Sequence, residues 1–204
     1  MTAQFHDKVR YEGIDYALAG ASGEGLFSPP HYGLEPVSWC TACWLGYLAS
    51  YEVSDDRLLL DRLDVCLTDP RQDQRSTSRR VPAPAIEGCE PRNTSGTGDG
   101  LFEYRYENMA LPVAFSGGLL LATDFIQELY VHMGFHPAWK YRTVHELIFH
   151  EGKLVQASDQ SARIEELRRK MAQLPLRPES PAGPGELRRW IDECFSLDYE
   201  WDRG

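Results

Sequence analysis

The chain has 204 residues, 42% hydrophobic and 11% aromatic, enough to pack one globular core. With 21 Lys+Arg against 31 Asp+Glu, the formal net charge is −10. That balance argues against a role in neutralising nucleic-acid phosphates or docking on an anionic membrane.

In chain order, the first two-thirds reads as hairpins. Residues 8–11 and 14–18 face each other across Glu12-Gly13, a tight-turn pair. Residues 19–36 are rich in Gly, Ser and Pro and read as a long shaped loop. Residues 44–53 and 58–67 form a second hairpin around Ser54-Asp55-Asp56, and Asp61 and Asp64 are expected on its solvated face. From 69 to 100 an irregular, proline-containing loop carries Arg71, Arg75, Arg79, Arg80 and Arg92. Phe102, Tyr104 and Tyr106 then alternate with charged residues as in a half-buried strand. A third hairpin is expected from 109–115 and 119–122 around Ser116-Gly117-Gly118, and a short helix over 124–133, capped by Asp124. A last hairpin joins 143–149 to 153–157 through His150-Glu151-Gly152.

The end of the chain has helical spacing. Ile164, Leu167, Met171 and Leu174 form one stripe, and Leu187, Trp190, Ile191, Cys194 and Phe195 a second after a proline-rich break. The expected class is therefore α+β: an antiparallel, hairpin-rich sheet or partly closed sandwich over residues 1–158. Two C-terminal helices within 159–204 would pack on it.

No run of about 18 apolar residues suggests a membrane span, and residues 1–7 lack the layout of a secretory signal. Five sparse cysteines, Cys40, Cys43, Cys66, Cys89 and Cys194, suit free thiols better than a disulfide framework. A cytoplasmic protein is expected.

The search for chemistry finds no complete constellation. Cys40-Thr41-Ala42-Cys43 lacks the second clip that a four-ligand zinc site needs, and it lacks a thioredoxin-like strand-to-helix setting. It reads as structural thiols beside Trp39 and Trp44. His132, His136, His145 and His150 lie close in sequence, but Gly134 and Pro137 interrupt any helical register that would converge them. No Gly-x-Ser-x-Gly elbow exists, and the glycine-rich stretches 20–25 and 96–100 lack the Lys-Ser/Thr of a phosphate loop. No catalytic residue, metal or cofactor is expected. The aromatic segment Phe135, Trp139, Lys140, Tyr141 and Arg142 is the best candidate for an exposed contact surface. The acidic tail Tyr199, Glu200, Trp201 and Asp202 is the second.

Several segments carry a resemblance: Gly25-Leu26-Phe27-Ser28-Pro29, Gly33-Leu34-Glu35-Pro36 and Thr41-Ala42-Cys43-Trp44-Leu45-Gly46-Tyr47. Phe115-Ser116-Gly117, Asp124-Phe125-Ile126, Tyr130-Val131-His132-Met133-Gly134 and Gly152-Lys153-Leu154-Val155 continue it. Over residues 8–165 the chain resembles small bacterial immunity-type proteins found beside polymorphic toxins. The resemblance implies a cytoplasmic, non-enzymatic inhibitor that occludes the active site of a cognate, basic toxin, with no nucleic-acid or membrane partner. The alternative is a metal-dependent or His/Glu-based hydrolase of a nucleotide or ADP-ribosyl group, using His145 and Glu146 or the histidines of 132–150.

Overall fold

Glu12-Gly13, Asp55-Asp56 and Glu151-Gly152 all hold positive φ at both positions. That geometry matches the twist of paired strands, so each pair closes a two-residue hairpin. The computed structural model describes residues 2–38, 40–68, 82–95 and 101–171 of the chain. The three turns join β1 (Lys8–Tyr11) to β2 (Ile14–Glu24), β3 (Tyr47–Ser54) to β4 (Arg57–Val65), and β9 (Tyr141–His150) to β10 (Lys153–Asp159). Short strands β5 (Arg92–Asn93), β6 (Tyr104–Tyr106) and β7 (Leu111–Pro112) lie along β4 and its neighbour. The long β8 (Ser116–Phe125) sits between β2 and β9.

The main path runs β10-β9-β8-β2-β1-β3-β4-β6-β5, and β10 also meets β4. Lys153 lies opposite Arg57 there, with the Leu154 amide donating to Asp56 O (2.7 Å) and the Leu58 amide to Gly152 O (2.9 Å). The sheet therefore closes into a ring of seven strands through a short seam. One residue is left unpaired at each of three register shifts: Ala19 in β2, Asp61 in β4 and Val155 in β10. Such bulges tighten the twist that closure requires.

Closure separates two cores. Inside the ring pack Val9, Leu18, Tyr51, Leu60, Leu121, Leu147 and Phe149, with many others. On the outer side Ala19, Leu120, Ala122 and Val144 meet Ile164 of the single described helix, α1 (Ser161–Met171). Ile164 is almost fully buried whereas Leu167 is 38% exposed, so one residue anchors the helix. Arg168 adds a clamp, donating to the carbonyls of Trp139 and Tyr141. The Glu165–Arg169 pair at 3.0 Å is exposed and contributes little.

The α+β class stands, with corrections. The sheet is mixed, because β1 and β3 run parallel. A parallel pair needs a long connection, and β2 with the segment that follows it lies between β1 and β3 in the chain. Phe27 and Leu34 from this segment are buried in the inner core. The expected loop at 19–36 is thus shorter, since β2 continues to Glu24. The hairpin around Ser116-Gly117-Gly118 does not form, because these residues begin β8. No helix covers 124–133: Asp124 takes φ 60°, β8 ends at Phe125, and a short 3-10 turn follows at Gln127–Leu129. Among the described residues of the 69–100 segment, Ile86 lies in the core and Arg92–Asn93 pair with β6. Asp64 is buried rather than solvated, held at 2.7 Å by both Arg62 Nε and Arg105 Nε. The second C-terminal helix lies outside the described residues.

Why β8 begins with two glycines is a packing matter. Gly23 and Gly117 are register partners at φ 137° and 147°. A Cβ on Gly117 would lie 2.1 Å from Ser22 O, and one on Gly23 would lie 2.2 Å from Ser116 O. Backbone cannot yield there. Gly117→Ala is therefore expected to destabilise the fold by about 3 kcal/mol or more, read as a lower denaturant midpoint with an unchanged slope.

Candidate functional site

Residues 2–7 form no named strand, yet they bind four other segments together. The Gln4 amide donates to Gly134 O (2.8 Å) and the Phe5 amide to Ala42 O (2.9 Å). The Gln4 side chain donates to Thr2 O and Thr41 O and accepts from the Trp44 amide (3.2 Å), which fixes the 40–44 turn. The Leu18 amide donates to Asp7 O (2.8 Å), tying the segment to β2.

His6 is fixed in one tautomer. Its Nε2 accepts from the His136 amide at 3.0 Å, so the proton sits on Nδ1, which donates to Leu18 O at 2.9 Å. Both bonds use the neutral ring, and burial lowers its pKa, outweighing the Leu18 bond that raises it.

Beside this strap opens a hollow of about 30 Å³ lined by Gln4, Phe5, Asp7, Cys43, Trp44, Leu45, Tyr47 and Phe135. Its rim is apolar and exposed, with Phe5 at 41%, Trp44 at 53% and Leu45 at 47%. The half-buried Asp7 carboxylate, part of the lining, accepts one hydrogen bond, from the Ala49 amide at 2.8 Å. Burial outweighs that bond and pushes its pKa up to about 6. Burial likewise raises Cys43 to about 11 and Tyr47 to about 12, so both stay protonated at neutral pH.

Rings extend the patch past the hollow. Phe135 lies 5.2 Å from His6, His136 lies 6.5 Å from His6, and Tyr130 lies 5.2 Å from His136. Tyr130 and Val131 are exposed at its far side. His136 itself is buried, with Nδ1 3.3 Å from Lys140 Nζ and with Nε2 unpartnered. Burial, then the Lys140 charge, lowers its pKa to about 4.

The expected contact loop is largely folded inward. Lys140 and Tyr141 are buried, Trp139 is half-buried against the outer core, and only Arg142 is exposed, 3.3 Å from Asp124. Phe135 alone reaches the hollow. Tyr199, Glu200, Trp201 and Asp202 lie outside the described residues. The histidines are scattered. His132 bonds Tyr130 and His145 packs 5.7 Å from Tyr16, while His150 ends β9. Among the described residues no three His, Cys, Asp or Glu side chains come together as metal ligands.

Cys40 and Cys43 bracket a tight turn, with the Cys43 amide donating to Cys40 O at 3.2 Å. Cys43 packs with Cys66 and Phe102 as a small apolar cluster. Phe5, His6 and Asp7 have no sequence signature that marks them. The only local hint is an aromatic and two titratable residues next to the first strand.

No protein-family model matches the chain, and no similar curated protein or solved structure is found.

Two titrations of opposite sign follow. Asp7 is harder to ionise folded than unfolded, so its contribution is favourable below about pH 4 and is lost as pH rises through about 6. Asp7→Asn keeps the acceptor for Ala49 and removes the half-buried charge. Urea unfolding at pH 7.5 should show the variant more stable by on the order of 2 kcal/mol, with the gap closing near pH 4. His136 is favoured neutral, so its contribution is present above about pH 6.5 and is lost on acidification toward about 4. In the same assay His136→Phe should flatten that acid loss, whatever its stability at pH 7.5.

Proposed function

We propose that this chain is a non-enzymatic binding protein of the immunity type, acting in the bacterial cytoplasm. It neutralises a cognate, basic protein toxin by covering the toxin's active-site cleft. The observation that carries this reading is the exposed apolar rim of Phe5, Trp44 and Leu45 around the Asp7 hollow. Scattered apolar residues are ordinary on a surface, but exposed Phe5, Trp44 and Leu45 lining one hollow have the composition of an interface centre.

The charge of −10 supports a basic partner, because long-range attraction raises the association rate for such a protein. It also disfavours nucleic acid as the partner. Among the described residues no helix is long and apolar enough to cross a membrane. The resemblance to immunity-type proteins supplies the class of partner. Residues Glu200 and Asp202, outside the described residues, add to the steering charge.

A hydrolase built on His145 and Glu146 finds no support in their placement. His145 packs on Tyr11 and Tyr16, while Glu146 accepts from Gln160 Nε2 at 3.2 Å, before α1. Adjacent residues on a strand point to opposite faces, so these two cannot act on one substrate atom.

The test uses the product of the adjacent reading frame. One equivalent of this chain should abolish that protein's toxicity and form a stable complex by calorimetry. Trp44→Ala should weaken the complex roughly tenfold or more with an unchanged melting temperature. A neighbour that is neither bound nor inhibited would refute the reading.

A further inference from the structure

We propose that the hollow beneath Phe5, Trp44 and Leu45 is a socket for the ammonium group of a lysine side chain presented by the protein partner. The inference rests on the partner-binding reading above and names what the centre of that surface recognises.

Asp7 is the reason. Among the described residues no Lys, Arg or His lies within ion-pair distance of its carboxylate, and its one hydrogen bond comes from the Ala49 amide to Oδ1. A second oxygen is left without a protein donor, in a side chain that lines the hollow. Asp7 is half-buried; a carboxylate drawn partly out of water with no counter-charge is costly, and the group that complements it is a cation.

The walls fit the same guest. Phe5, Trp44, Tyr47 and Phe135 surround the hollow, and aromatic faces attract cations within about 6 Å of the ring. Size selects among cations. A hollow of about 30 Å³ holds a group of roughly water size, which suits a compact ammonium better than the broad fork of a guanidinium. The lysine stem would then lie along the exposed apolar rim.

The groups facing Asp7 leave it as the titrating member of the lining. Cys43, from the turn, and Tyr47 and Tyr51, from β3, remain protonated through neutral pH, because burial raises all three. His6, next in the chain, is held neutral by its two backbone bonds. Binding should therefore need ionised Asp7 and fail as pH falls through about 6.

The experiment titrates the intact chain with n-butylammonium chloride while following the Asp7 carboxyl by NMR. Added amine should move its midpoint from near 6 toward the usual carboxylate range near 4. n-Butylguanidinium should bind several-fold more weakly. Asp7→Asn, which keeps the Ala49 hydrogen bond, should abolish the amine response. It should also weaken the partner complex roughly tenfold or more and remove that complex's loss of affinity between pH 7.5 and 5.

An unmoved midpoint in saturating amine, or a partner affinity unchanged by Asp7→Asn, would overturn the socket. If Trp44→Ala still weakens the complex in that case, the partner-binding reading survives it. A neighbour that does not bind at all would overturn both, and that outcome is read from the complex rather than from the amine titration.

Discussion

A single curled sheet has to close on itself before its inner face can leave water, and everything else in this molecule follows from that requirement. The ring strands contribute Val9, Leu18, Tyr51, Leu60, Leu121, Leu147 and Phe149 to one interior. Twist alone does not bring β10 to β4. Extra residues at Ala19, Asp61 and Val155 bend their strands, and two glycines let β2 and β8 pass closer than any Cβ permits. Closure also turns the outer side of β8 and β9 into a second apolar surface, which Ile164 covers.

A closed ring still has ends, and the site is built at one of them. Residues 2–7 run across strands and turns, using backbone amides and the side chains of Gln4 and His6 as ties. The ties run largely to backbone amides and carbonyls, so the strap is fixed by hydrogen bonding more than by apolar burial. This explains how Phe5 and Trp44 remain exposed on an ordered scaffold. Rigid aromatic groups held by a tied backbone lose little entropy when a partner covers them.

What could be read from the sequence is what depends on neighbours in sequence. Glu12-Gly13, Asp55-Asp56 and Glu151-Gly152 announce hairpins because a two-residue turn is decided by its own φ angles. Ser116-Gly117-Gly118 looks the same locally and means something else, since Gly117 is small for the sake of Ser22 and Gly23, far away in the chain. The spacing of Phe125, Tyr130 and Met133 imitates a helix, but Phe125 packs instead on His136 at 4.8 Å and Tyr141 at 5.1 Å. The site was illegible for a similar reason. Asp7 acquires its character from Ala49, Tyr47 and Tyr51, and nothing beside it in the sequence records them.

Asp7 also poses a question of stability. An asparagine would accept the Ala49 hydrogen bond equally well and would carry no charge into a poorly solvated place. Asp64 shows how this fold treats a buried carboxylate that serves structure alone, with Arg62 and Arg105 both at 2.7 Å. The two aspartates differ in that one is neutralised from within and the other faces an opening. A destabilising charge aimed at a surface hollow is the arrangement expected where stability is given up for recognition. The cation that would offset it has to come from outside the described fold, and an aromatic rim on an acidic protein is well suited to receive one.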